Sequence, residues 1–201
     1  MNSILTIPNL LTFLRMALIP VFASLLFYGY SGAALAVFVI AGISDGIDGF
    51  VARRFGQESE LGTILDPVAD KLLMTTAFIV LTMPNVLQPV RHLPVPFWVT
   101  AAVIGRDVLI ITVAGAINIM TGFRGFKPSL PGKVSTFVQV IAVTLILLAA
   151  VFGYSFYLPT TYFLVVLMAF ISGFHYIFYV SRLMREEESE EKLKRVEEER
   201  Q

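Results

Sequence analysis

Cysteine is absent from this chain, which rules out disulfides, thiolate nucleophiles and Cys-based zinc or iron–sulfur ligation. Only two histidines occur, His92 and His175, and neither has a metal-spaced neighbour. Both read as interfacial or packed side chains rather than ligands. Charge is scarce as well: 15% of the 201 residues are charged against 56% hydrophobic, with a mean hydropathy of +0.77. A soluble globular domain does not have this balance, whereas a polytopic membrane protein does. Neither sign of charge is in excess, with 15 basic and 15 acidic residues. No nucleic-acid partner is therefore expected.

The few charges are unevenly placed. Residues 185–201 hold eight glutamates against five basic residues, so the final segment is acidic and the remainder basic. Its alternating blocks (EEESEEKLKRVEEER) read as a solvated, helix-prone extension with i,i+4 pairs. Residues 1–184 are expected to form one membrane domain and residues 185–201 a charged cytoplasmic tail. The first apolar run is not expected to be a cleaved leader, because Arg15 interrupts it and no small-residue cleavage site follows.

Six apolar runs are each long enough to span a bilayer, near residues 9–29, 33–54, 61–82, 96–121, 133–152 and 159–182. The expected fold is all-α, an integral membrane protein of six transmembrane helices. Residues 84–96 read as a proline-rich loop, and residues 122–132 as a second loop rich in Gly, Pro and basic groups. Arg53, Arg54, Arg124, Lys127, Lys133, Arg182 and Arg185 fall at one set of helix ends, with Arg91 at the other. The positive side is expected to be cytoplasmic, with both termini inside.

Upstream of the tail there are only seven acidic residues, and four of them are Asp45, Asp48, Asp66 and Asp70. Inserting a carboxylate at a helix centre costs roughly 2.5–3.5 kcal/mol on insertion scales, so four together require a partner. Asp45 and Asp48 are three apart, Asp66 and Asp70 four apart, so each pair shares one face of its helix. A short link makes the two helices antiparallel neighbours, and the pairs meet at the cytoplasmic ends of helices two and three. Four carboxylates with no cysteine or nearby histidine form a hard oxygen site suited to Mg²⁺ or Mn²⁺, with room to bridge two ions.

Gly46, Gly49, Ala52 and Gly62 surround the acids with small side chains, which permit close approach of a ligand or helix. Arg53 follows directly and suits a phosphate. Pro67 removes one backbone hydrogen bond beside Asp66. These features point to divalent-metal and phosphate chemistry. The plain alternative is a buried ion-pair network with Arg53, Arg54 and Lys71. It leaves the small residues without a purpose, and the acids outnumber the bases. An aspartate-rich prenyltransferase and a cation transporter are the other readings.

The full pattern is Asp45-x-x-Asp48-Gly49-x-x-Ala52-Arg53, eight residues, Gly62, three residues, Asp66, three residues, Asp70. It resembles the signature of the CDP-alcohol phosphotransferases in every position and gap. The resemblance implies displacement of CMP from a CDP-linked donor by an alcohol, with two divalent cations. It also implies that Asp45, Asp48 and Asp66 are metal ligands. Asp70 would complete the metal site and take the proton of the acceptor hydroxyl. Gly46, Gly49, Ala52 and Arg53, with Gly62, would bind the CDP part of the donor. Homodimers are a further implication of the resemblance.

Three further segments, IPNLLTFLR, VIGRDVLI and KPSLPGKVSTFVQ, are similar to those of phosphatidylglycerophosphate synthases and cardiolipin synthases. The implied donor is CDP-diacylglycerol, at a bacterial inner membrane. The implied acceptor is glycerol-3-phosphate or phosphatidylglycerol. Arg106, Arg124, Lys127 and Lys133 are the candidates for an acceptor-phosphate pocket. The glycerol-3-phosphate branch often carries Arg-Glu in helix four and a second arginine two turns later. Here the pair is Arg106-Asp107, and Ala114 stands in place of that arginine.

Overall fold

The computed structural model describes residues 7–55, 60–84, 86–87, 92–121 and 130–198, all of whose regular structure is helical. Six helices follow in order: α1 (Ile7–Phe27), α2 (Ser31–Phe55), α3 (Glu60–Thr82), α4 (Phe97–Thr121), α5 (Leu130–Phe152) and α6 (Leu158–Glu198). Among the described residues, four stretches are long and apolar enough to cross a membrane: Asn9–Phe27, Phe97–Ile119, Leu130–Phe152 and Leu158–Arg182. Helix α2 adds a shorter apolar stretch, Ser31–Gly46. Helix α3 does not reach that apolarity, because Glu60, Asp66, Asp70 and Lys71 all lie in it. The expected all-α membrane protein is thus present, with the four motif aspartates on α2 and α3.

Many large apolar side chains are exposed, among them Ile119 at 86%, Phe97 at 77% and Phe178 at 71%. On a soluble protein such a surface would be an interaction or aggregation site. Spread along helices of membrane length, it is the lipid-facing surface of an integral membrane protein.

Helix ends are set by local chemistry. At the end of α1, Gly29 takes φ 79°, and its N–H donates to the Leu26 carbonyl at 2.9 Å. The Tyr30 N–H donates back to the Leu25 carbonyl at 2.8 Å. This pair of bonds is a Schellman cap, which requires a left-handed residue that glycine supplies without a Cβ clash. Gly153 closes α5 in the simpler way, with φ 77° and one bond from its N–H to the Ala149 carbonyl at 2.8 Å. Helix α5 begins at Leu130, so Pro131 and Gly132, expected in the loop, lie in its first turn. Proline is tolerated there because the first N–H groups of a helix have no intrahelical partner. Helix α6 runs unbroken for 41 residues into the charged segment, continuing the expected span as one helix.

The chain divides into two compact units, each of which takes part of α4, α5 and α6. Unit 1 comprises Met1–Ala101 and Gln139–Phe163, and unit 2 comprises Ala102–Val138 and Leu164–Gln201. In unit 1, α1 packs against both α2 and α3. Phe22 and Phe38 meet across the α1–α2 pair with ring centroids 5.8 Å apart. The loop after α3 is tied back by the Val95 N–H to the Leu81 carbonyl at 2.9 Å, and by Thr82 and Thr100 hydroxyls 2.5 Å apart. His92, with φ 67°, is exposed and offers its backbone carbonyl to the Tyr162 hydroxyl at 2.9 Å. In unit 2, Ile117, Tyr176 and Val180 form an apolar cluster with Ile110, Val113, Ala114 and Tyr179 packed against it.

Candidate active site

In unit 1 the site is built on α1 as well as on the two aspartate-bearing helices. Asn9, Thr12 and Arg15 are three residues apart, hence on one face of α1, and all three are buried in an otherwise apolar helix. Burial of such groups without partners would be costly, and Thr12 and Arg15 find theirs among the aspartates. Arg15, whose side chain is 0% exposed, pairs with Asp45 on α2, Nη1 to Oδ1 at 2.7 Å. One turn earlier, the Thr12 hydroxyl donates to Oδ1 of Asp66 on α3. A single face of α1 therefore reaches one carboxylate on each neighbouring helix.

These two contacts do more than hold helices together. A carboxylate has two oxygens, and each contact uses Oδ1 of its aspartate and fixes the side chain's direction. Such contacts orient a carboxylate for a cation or substrate. Asp45 is 49% exposed at its side chain, so it stands at the boundary between a buried cation and solvent. Asp66 and Asp70 are half-buried on α3, and Gly62 is buried one turn before Asp66. Gly46 lies on α2 beside Asp45, exposed, and a Cβ there would meet nothing within 4 Å. There is open space for a ligand at that point of the backbone.

Asp48, Gly49, Ala52 and Arg53 continue α2, but their side chains lie outside the described residues, and Arg124 and Lys127 lie outside them altogether. Among the described residues, no group of three His, Cys, Asp or Glu side chains gathers as a metal site. Asp45 forms an ion pair with Arg15, a residue 30 positions earlier, while the side chains of Arg53 and Arg54 lie outside the described residues. Thr12 and Arg15 are the contacts that sequence reasoning did not assign. The signal was present, since Asn9, Thr12 and Arg15 form a polar stripe at helical spacing inside IPNLLTFLR.

In unit 2, Arg106 and Lys133 differ in kind. Lys133 is exposed in the first turns of α5. Arg106 is buried on α4 and engaged by Asp107, Ser172 of α6 and the Gly132 carbonyl of α5.

Residues 5–179 match the family model described as CDP-alcohol phosphatidyltransferase. Among curated proteins, the chain is 38% identical over 166 residues to a cardiolipin synthase (CMP-forming) of Rattus norvegicus, covering 75% of this chain and 52% of that protein. It is 40% identical over 152 residues to a probable phosphatidylglycerophosphate synthase of Mycobacterium tuberculosis, covering 72% and 67%. To a cardiolipin synthase (CMP-forming) of Streptomyces coelicolor it is 34% identical over 171 residues, covering 77% and 75%. The matched region spans about half the length of the mammalian relatives. With nearly all of its helical body inside the family model, and with the spaced aspartates on α2 and α3, the chain belongs to the CDP-alcohol phosphatidyltransferase family.

Proposed function

We propose that this protein transfers a phosphatidyl group from CDP-diacylglycerol to the hydroxyl of a glycerol-type acceptor, releasing CMP, in the synthesis of anionic phospholipids. The acceptor is glycerol-3-phosphate or phosphatidylglycerol, the two classes that correspond to the names of the relatives. The observation that carries the reading is the complete aspartate pattern on α2 and α3, with Asp45 and Asp66 each held by a polar side chain of α1. Six spans, a cytoplasmic site, an inner-membrane location with both termini inside, and a homodimer belong to the same proposal.

The donor set fits divalent cations: Asp45, Asp48, Asp66 and Asp70 offer only hard oxygens, which suit Mg²⁺ or Mn²⁺. Two such ions, when bound there, supply the charge neutralisation that a diphosphate and a departing phosphate need. The chain's own residues do the rest. Arg15 and Thr12 hold two of the carboxylates in fixed directions. Gly46, where a Cβ would meet nothing, leaves the backbone open to the CDP moiety, and the resemblance assigns Gly49, Ala52, Arg53 and Gly62 to the same moiety. Asp70, one helical turn after Asp66, accepts the proton of the acceptor hydroxyl at a carboxylate oxygen. That hydroxyl oxygen forms a bond to the phosphatidyl phosphorus, and the bond from this phosphorus to the CMP oxygen breaks. CMP leaves with the electron pair.

The test is CMP release from CDP-diacylglycerol by purified protein. Asp66→Ala and Asp70→Ala are each expected to abolish it while the protein still inserts, and EDTA to stop the wild type until Mg²⁺ or Mn²⁺ is restored. Near-normal turnover in either variant would refute the mechanism. Release of pyrophosphate from a prenyl donor, or cation flux without any CDP-lipid, would instead support the rival classes.

A further inference from the structure

Within unit 1, the loop after α3, the first turn of α4 and the start of α6 line a cavity of about 380 Å³. That volume lies in the range of small-molecule sites, about 300–1,000 Å³. Its wall is His92, Leu93, Trp98 and Tyr162 with three prolines, Pro94, Pro96 and Pro159. Helix α3 fixes its distance from the aspartates. The Val95 N–H, between two of the prolines, donates to the Leu81 carbonyl. Leu81 follows Asp66 along α3 by roughly 22 Å, at about 1.5 Å per residue. The cavity therefore sits at the opposite end of this helix from the carboxylates and stands independently of the transferase reading.

The wall has a definite chemistry. Proline has no N–H to offer, and the Tyr162 hydroxyl spends its proton on the His92 carbonyl at 2.9 Å. The side-chain donors left for a ligand are the Trp98 indole N–H and an imidazole N–H of His92. Both residues are exposed, which places them at the mouth. Such a site suits a molecule with an apolar body and uncharged hydrogen-bond acceptors. The surroundings narrow it further. Tyr28 and Tyr30 in the α1–α2 turn, Phe97 beside Trp98, and Tyr154 and Phe156 between α5 and α6 are all exposed. Residues 16–44, 72–90, 92–105 and 134–181 contain no Asp, Glu, Lys or Arg. Ends of membrane helices that carry exposed Trp and Tyr lie at the level of the lipid headgroups.

We propose that this cavity binds one phospholipid molecule by its glycerol-ester region, from the leaflet opposite the aspartate site. The ester carbonyls accept hydrogen bonds from Trp98 and His92, and the first methylenes of an acyl chain lie on the proline rings. The cavity is continuous with the lipid-facing surface of the helices, so such a molecule enters sideways from the bilayer. It is a resident lipid, separate from any lipid that reacts at the carboxylates.

Trp98 is the single tryptophan of the chain, so its fluorescence reports on the mouth of the cavity without a label. The experiment titrates the full chain in detergent micelles with phosphatidylcholine brominated either near the ester or near the chain end. Quenching should saturate at one lipid per chain, be stronger for the bromines near the ester, and be reversed by unbrominated lipid. Leu93→Phe, which enlarges the wall, should weaken binding by about tenfold, the scale of overpacking a fitted site. Leu93→Met, of similar volume, should bind as wild type does. Quenching that grows in proportion to brominated lipid without saturating, or that is stronger from the chain end, overturns the proposal. So does Leu93→Phe binding as tightly as wild type. Should Leu93→Phe fail to fold, the wild-type titration decides alone.

Discussion

Removing either partner of the Arg15–Asp45 pair should cost the fold unequally, and the inequality follows from exposure. Arg15 has no solvent access at its side chain, whereas Asp45 is 49% exposed. In Arg15→Met the similar-sized apolar stem keeps most of the packing, and the remaining carboxylate rehydrates. The expected loss is one charge-assisted contact, about 1.5–3 kcal/mol. In Asp45→Asn the guanidinium stays buried and loses the Asp45 charge, and breaking a buried pair in this way typically costs about 3–5 kcal/mol. The substitution that looks milder should therefore be more damaging by about 2 kcal/mol. The assay is equilibrium unfolding of purified protein in mixed micelles with EDTA, so that bound cations do not contribute. Double substitution gives the coupling energy. If Arg15→Met proves as destabilising as Asp45→Asn, the argument from differential burial is wrong.

Two further outcomes follow from the backbone. Gly46→Ala should raise helix stability by roughly 0.5–1 kcal/mol, because a Cβ there meets nothing and alanine favours helices. If CDP lies against that residue, the same variant should bind CDP-diacylglycerol more weakly, so thermal unfolding and donor titration should move in opposite directions. Gly29→Ala should destabilise by about 1 kcal/mol or more, since φ 79° at the α1 cap is unfavourable for an L-residue. Unfolding curves compared with Gly32→Ala, where φ is ordinary and space is open, provide the control.

Much of this architecture was legible because apolar runs in a membrane protein are long and the charges within them are few. The positions of α1 to α5 followed from that contrast. Boundaries were harder where local chemistry has two meanings. Pro131 and Gly132 read as loop residues, yet proline serves equally at the start of a helix, and the first turn of α5 uses it so. The charged segment after Arg182 was legible as helix-prone, and its continuity with α6 follows from the absence of proline and glycine between Phe174 and Glu198. In the site, same-face pairing of the aspartates was readable from spacing alone. That Arg15 would meet Asp45, and Thr12 Asp66, was not, because helix-to-helix register depends on packing that spacing does not encode. Arg106 shows the same gap: its contacts with Asp107, Ser172 and the Gly132 carbonyl depend on packing that the sequence does not spell out.

The three-residue link between α1 and α2 bears on how the chain enters a bilayer. Tyr28, Gly29 and Tyr30 turn the chain so tightly that the first two helices form a hairpin, with α1 packed directly on α2. Alone, α1 would carry Arg15 into hydrocarbon at a cost of several kcal/mol, and α2 would carry Asp45. Joined by the cap, the two charges meet 2.7 Å apart once α2 lies beside α1. The hairpin is then electrically neutral at that depth. The α1–α2 hairpin can thus partition as one unit, with its opposite charges cancelling where the two helices meet.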